Sequence, residues 1–473
     1  MKLIYFVFSV FLVLPVLTRA QLPDSVSQKI DDLFLDWNRP NHPGGAVGIM
    51  QDGQLAFSKA YGLASLEYLV PNAPGTQFNL GSISKQFTAM GILLLEQQGK
   101  LSVDDDVRKY LPGLPDFGET ITIRHLMHHT SGMRSMHFLL EMAGWRGTDF
   151  RSNEDLRRFM RRQKDLNFKP GDQYLYCNTG YMLMADIIEK VTGESFADWM
   201  KRSVFLPLGM FDTYVEDNPF RVVPNNATSY YGSNEGPFDR ATEFWGYVGS
   251  GNVHASTGDV LKWLSNFYEP AFGWEAAFAR MQTRGVLNNG DTLTYAFGIN
   301  VGSYKGERLI QHGGAVGGYR AFAMVFPDKK LSIVLLTNFS SSNPWEQGYE
   351  VADLVLGKVE PPVAEGNAPT PAAEEQTPAF TAINDELLNS YAGYYYSPEL
   401  ETTYELYVDN HQLKARHPRH GEMGEVKVLQ KDELEAPHPL GHLSVQRDKK
   451  GKLTGIRASN GRVRNLWMER KNS

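Results

Sequence analysis

Strand-like alternation marks both flanks of the first 340 residues, and helical stripes fill the middle. Gly45 to Met50 and Gln54 to Tyr61 flank Asp52-Gly53, a turn dipeptide, which predicts a β-hairpin. Phe322 to Phe326 and Leu331 to Leu336 flank Pro327-Asp328-Lys329-Lys330 and predict another. Between them Ile83, Phe87, Met90 and Leu94 recur at spacings of four, three and four, the period of a helix face, with Gly99 as a stop. Met184, Ile187, Ile188 and Val191 form a second stripe, closed by Gly193. Strands at both ends with helices between predict one mixed sheet whose edges come from distant sequence, flanked by helices and an all-α part. Clefts form where two such parts meet.

The same patterning divides the chain. Lys2, an apolar run from Leu3 to Leu17 and then Thr18-Arg19-Ala20 read as a secretory signal peptide over residues 1–20. The run is short for a spanning helix, which needs ~20 residues. No cysteine lies near the cleavage point to carry a lipid, and no later segment is long and apolar enough to span. The mature chain is therefore expected to be secreted or periplasmic, with no stable membrane span after signal cleavage. Residues 21–357 read as one catalytic-looking body, and 358–383, rich in Pro, Ala and Glu, as an extended linker that buries too little to offset its ordering entropy. From 384 to 473, period-2 runs such as Tyr404 to Val408 and Val463 to Trp467 are separated by Asp409-Asn410, Lys450-Gly451 and Asn460-Gly461. They predict a small antiparallel β domain.

Composition narrows the function classes. At 473 residues the chain has length for about three compact units, and 42% hydrophobic with 21% charged residues is a globular balance. The net charge of −7 becomes −9 once Lys2 and Arg19 leave with the signal, and no basic stripe is present, which argues against a nucleic-acid partner. Cys177 is the single cysteine, so an internal disulfide and a cysteine zinc cage are both excluded.

Three motifs carry chemistry. In Ser82-Ile83-Ser84-Lys85 the lysine returns to the serine's face one helical turn later. A serine hydroxyl needs a base to accept its proton, and a lysine serves only if burial or neighbouring positive charge depresses its pKa of ~10.4. The tetrad by itself also reads as a capping serine followed by a solvated lysine. In Tyr176-Cys177-Asn178, extended backbone would turn Tyr176 and Asn178 to one side and Cys177 to the other. A phenol near an ammonium ionises more easily and can relay a proton. In His312-Gly313-Gly314, glycines beyond a strand-like segment let a substrate backbone approach.

Ser-x-x-Lys, then Tyr-x-Asn, then His-x-Gly in this order resembles the class C β-lactamase and penicillin-binding-protein-like serine hydrolases. Supporting stretches are Gly44-Gly45-Ala46-Val47, Phe78 to Ala89, His129-Thr130-Ser131-Gly132 and Tyr176 to Tyr181, and the likeness spans about residues 25 to 355. It implies the α/β (α+β) transpeptidase-like fold with a site between sheet and helices. It implies that Ser82 forms an acyl-enzyme, that Lys85 and Tyr176 share acid–base work, and that the Ser82 and Ala315 amides form an oxyanion hole. Asn178, His312 and Gly314 would bind and position substrate, with no cofactor and no metal. The tail resembles the lipocalin-like appendages of some relatives. Where many class C β-lactamases have Lys, this chain has His312, followed by Gly313 in place of a hydroxyl residue. A neutral His suits a substrate carboxylate less than Lys does, which moves the expectation from β-lactams toward esters, amides and D-amino-acid peptides.

The expected partner is a small-molecule or peptide substrate, including cell-wall peptide; oligomeric state is not legible. A catalytically silent cell-wall-peptide-binding protein is the rival reading. His125, His128 and His129 could suggest a metal, but a three-ligand site needs a convergent geometry that this run does not guarantee. Asp104-Asp105-Asp106 after Ser102 predicts a capped helix start, and Asn226-Ala227-Thr228 and Asn338-Phe339-Ser340 are glycosylation sequons.

Overall fold

The computed structural model describes residues 21–242, 245–357 and 384–471; the expected signal peptide and linker lie outside the described residues. The main sheet has six strands: β1 (Gly45–Gln51), β2 (Gln54–Tyr61), β3 (Asn300–Tyr304), β4 (Glu307–Val316), β5 (Tyr319–Phe326) and β6 (Leu331–Thr337). They lie in the order β3-β4-β5-β6-β1-β2. Both predicted hairpins are present, and the edges do come from distant sequence. All five ladders are antiparallel, so the sheet is mixed in origin but not in strand direction. The chain closes on itself where β1 pairs with β6, Gly45 opposite Thr337 and Ile49 opposite Ile333.

Alternation along β5 explains why both faces are dry. Phe322, Met324 and Phe326 point to one side and pack with Ile30 of α1 (Asp24–Leu33), with Phe34 just past its end and with Val351 of a C-terminal helix (Pro344–Leu356). Ala321, Ala323 and Val325 point to the other, toward Val260 and Leu261 of the helix Thr257–Ser265 and the helical region beyond. There the first stripe is α2 (Lys85–Gln97) and the second is α4 (Asn178–Thr192), with α3 (Met136–Met142) between them in the chain. Gly193 ends α4 with φ 75°, a left-handed cap that glycine reaches without Cβ strain.

Two minor expectations are corrected. The Asp104–Asp106 run does not start an α-helix; Asp106 caps a single 3₁₀ turn, Val107–Lys109. Asn338 is fully buried and its amide donates to the Thr228 and Leu63 carbonyls at 2.7 and 3.0 Å, so that sequon is structural.

The C-terminal sheet has nine antiparallel strands: β7 (Gly393–Ser397), β8 (Thr402–Asp409), β9 (Gln412–His417), β10 (Gly421–Glu425), β11 (Lys427–Gln430), β12 (Glu433–Ala436), β13 (Gly441–Arg447), β14 (Leu453–Asn460) and β15 (Val463–Lys471). Its order is β10-β9-β8-β7-β15-β14-β13-β12-β11, so the two edge strands are neighbours in the chain. Tyr395, Tyr404, Leu434, Leu443, Ile456 and Leu466 fill its core. The sheet sits on the helical region through polar contacts. Arg134, itself buried, pairs with buried Glu399 at 2.7 Å, and the Tyr404 hydroxyl donates to the Met142 carbonyl at 2.7 Å. Among the described residues no helix is long and apolar enough to cross a membrane.

Candidate active site

Ser82 stands in a 3₁₀ turn, Gly81–Ser84, that runs directly into α2. A small sheet of Phe78–Asn79, Val253–Ala255 and Tyr214–Val215 aims the turn. Asn79 accepts the Gly81 N–H at 2.9 Å, and the Ser84 hydroxyl accepts the Val253 N–H at 3.0 Å. Ser82 is half-buried and lines an open cleft of about 360 Å³ with Asn178, Tyr247, Ser250 and Ala315. A larger hollow of about 550 Å³ adjoins it, sharing Trp245, Val316 and Gly317.

Lys85 is wholly buried, with Nζ 3.0 Å from Ser82 Oγ and 2.6 Å from the Ser250 carbonyl oxygen. Burial drives its ammonium well below the ordinary lysine range, and the Arg462 guanidinium pushes the same way while Cys177 opposes. Among the described residues no carboxylate pairs with it. Nζ also lies 4.9 Å from the Tyr176 ring centroid.

The Tyr176 ring packs 4.1 Å from the His129 ring, and its hydroxyl is buried without a hydrogen bond of ordinary geometry. Sequence reasoning expected a phenol that ionises readily. The structure reverses this: burial raises the phenol above its ordinary value, and the neighbouring Ser82 hydroxyl and Arg462 offset only part of that. Asn178 is the first residue of α4 and leaves its side-chain oxygen buried and unpaired at the cleft. Cys177 faces away, its thiol against the Met133 carbonyl at 3.3 Å.

β3 pairs with β4 only as far as Gln311, which leaves the following stretch of β4 open on that edge. The open edge meets the serine turn. A Cβ placed on Gly81, whose φ is 52°, would lie 2.6 Å from Ala315 N; one on Gly314 would lie 2.0 Å from the Leu80 carbonyl oxygen and 3.2 Å from Ser82 N. The two glycines thus bring the Ser82 and Ala315 amides into one neighbourhood.

His312 is placed differently from its sequence neighbours. It is 5% exposed, absent from the cleft wall, and bonded through Nε2 to the Tyr295 hydroxyl at 3.1 Å and through Nδ1 to the Gly313 carbonyl at 2.6 Å. Burial and Lys85 pull its pKa down to about 4, so it is a neutral ring behind the site. Gly314 serves through backbone approach and is not itself on the wall. Of the three clustered histidines, His125 caps a short helix, His128 bonds the Thr283 carbonyl at 3.0 Å, and His129 accepts the Cys177 N–H at 3.0 Å.

Sequence reasoning missed the Ser250 carbonyl, the cleft-lining side chains His137, Glu141, Arg151, Trp245 and Tyr247, and Arg462. None belongs to a motif. Gly249-Ser250-Gly251 is the one local signal, a glycine-flanked turn at which backbone closely approaches α4.

The fold and the serine–lysine–tyrosine cluster define a β-lactamase-related serine hydrolase of penicillin-binding type. The chain belongs to the beta-lactamase family, whose model matches residues 30–356. It is 31% identical over 386 residues to Penicillin-binding protein 4* of Bacillus subtilis (strain 168), covering 76% of this chain and 82% of that one. It is 30% identical over 302 residues to a D-aminopeptidase of Gluconobacter oxydans (strain 621H), covering 63% of this chain but only 56% of the relative. In three dimensions it resembles the octameric penicillin-binding protein homologue from Pyrococcus abyssi, with a TM-score of 0.63 at 24% identity over 95% of this chain and 99% of that one. That likeness is one of fold, and its extent takes in the C-terminal sheet.

Proposed function

We propose that this protein is an exported serine hydrolase that cleaves amide or ester bonds through an acyl-enzyme on Ser82, with peptides containing D-amino acids as the favoured substrates. The observation that carries the reading is a fully buried Lys85 amine 3.0 Å from Ser82 Oγ. The neutral amine takes the Ser82 proton as Oγ attacks the carbonyl carbon. The charge that develops on the carbonyl oxygen is met by the Ser82 and Ala315 N–H groups. Tyr176, which keeps its proton in the free protein, is suited to pass it to the leaving group as the tetrahedral intermediate collapses, and Lys85 then reprotonates the phenol. Water enters by the reverse sequence and releases the acyl group. Asn178 orients the substrate carbonyl or the amine. Relatives that include a penicillin-binding protein and D-aminopeptidases support the substrate class, and the basic, apolar start of the chain supports secretion or a periplasmic location. The rival reading of a silent binder is not favoured, and the amine beside Ser82 supports acyl transfer instead.

Ser82→Ala tests the reading. Labelling by a fluorophosphonate probe should vanish while the circular dichroism stays native. Stoichiometric labelling of the alanine variant would overturn the assignment.

A further inference from the structure

A substrate carboxylate at this cleft has no lysine from the third motif to meet it, because His312 is neutral and turned away. A cation arrives from the other domain instead. Asn460 pairs with Val463 across a two-residue turn, Gly461-Arg462, in which Gly461 takes φ 51°. The tip of this β14–β15 hairpin reaches the catalytic body, and the Arg462 guanidinium lies 4.8 Å from the Tyr176 ring centroid and 5.6 Å from that of Phe138. Lys85 Nζ lies 4.9 Å from the same Tyr176 centroid, which puts the amine and the guanidinium within about 10 Å of each other.

The main chain at the tip is fixed. The Arg462 carbonyl accepts from Ser135 N–H at 3.2 Å and from the Asn167 amide at 3.1 Å, and Arg464 N–H donates to Asn167 Oδ1 at 2.7 Å. The Arg462 side chain is held only by the aromatic rings. Among the described residues its guanidinium has neither a hydrogen bond nor an ion pair. The charged groups that line the cleft itself are engaged: Glu141 with His438 at 3.4 Å, Arg151 with the Arg146 carbonyl at 3.1 Å, and Arg320 with the Gly317 and Tyr319 carbonyls at 2.9 and 2.7 Å.

A half-buried guanidinium near the base, with rings below it and no partner for its donor fork among the described residues, matches a carboxylate better than any neutral group. We propose that Arg462, supplied by the C-terminal domain, binds a carboxylate of the substrate close to the scissile bond, so that peptides ending in a free carboxylate are preferred over their amides. The inference rests on the acyl-enzyme reading for its meaning, but binding tests it separately. Full-length Ser82→Ala protein, in which turnover does not intervene, is titrated calorimetrically with N-acetyl-D-alanyl-D-alanine and with the same peptide as its C-terminal carboxamide. The carboxylate should bind about 10- to 100-fold tighter than the amide, the range of a charge-assisted hydrogen-bonded pair. Adding Arg462→Ala should bring the ratio near one, and Arg462→Lys should restore part of it. A purely structural role would weaken both ligands alike and leave the ratio standing. A ratio of one before mutation, a ratio that survives Arg462→Ala, or no binding of either peptide overturns the proposal. Failure of the acyl-enzyme reading is recognised independently, by unlabelled Ser82 in the wild type.

Discussion

The β4–β5 and β14–β15 hairpins reach the same site from distant parts of the chain. Each turns in two residues with the first glycine at φ 51°, Gly317 in one and Gly461 in the other. They deliver different things. β4 belongs to a sheet buried on both faces and brings a backbone amide, that of Ala315, whose proposed oxyanion role requires main chain to touch main chain. β15 belongs to a sheet whose residues alternate between core and solvent, and its turn brings a side chain that bridges the remaining gap. Backbone chemistry therefore tolerates nothing at Gly314, while the second hairpin depends on how firmly its domain is held.

The largest expected effect concerns that hold. Glu399→Ala leaves buried Arg134 without its 2.7 Å partner, and breaking a buried pair costs ~3–5 kcal/mol. Denaturant unfolding should show this loss, and the preference for carboxylate-ended peptides should fall with it because Arg462 loses its support. If that preference is kept, the second hairpin does not need the buried pair. Next, Gly314→Ala sets a methyl against the Leu80 carbonyl and separates the two amides. It should lower kcat by ~10²–10³, the effect of losing an oxyanion donor, while the ratio of carboxylate to amide binding persists. A parallel collapse of both would merge what the two hairpins are taken to do separately.

The last effect is read as a dependence on pH. Folding holds Lys85 below its unfolded pKa, so the unfolded chain binds the extra proton and wild-type stability rises with pH up to ~10.4. Lys85→Met should abolish activity and yet be more stable than wild type near neutrality. Wild type should then recover by up to ~1.4 kcal/mol per pH unit as pH approaches 10.4, read from unfolding midpoints. A pH-independent difference would mean that Lys85 is charged in the folded protein.

Much of the catalytic body was legible because its signals are local. Ser82 and Lys85 are one helical turn apart, Gly193 ends a stripe, and the strands around Asp52-Gly53 alternate. What escaped is of two kinds. Ser250, Glu141 and Arg462 act as single groups from loops, a short helix and a remote hairpin, where no period or spacing singles them out. The acidity of Tyr176 and the orientation of His312 depend on how many atoms surround each ring, a quantity set by tertiary packing. A neighbouring charge can be guessed from a motif; the depth at which it is buried cannot.

The tip of the second hairpin is fastened by the carbonyl of residue 462 and by the neighbouring Asn167, with no demand on the side chain itself. A single codon can thus be varied while the docking geometry stays in place, which makes position 462 a natural starting point for libraries that retune selectivity without rebuilding the enzyme.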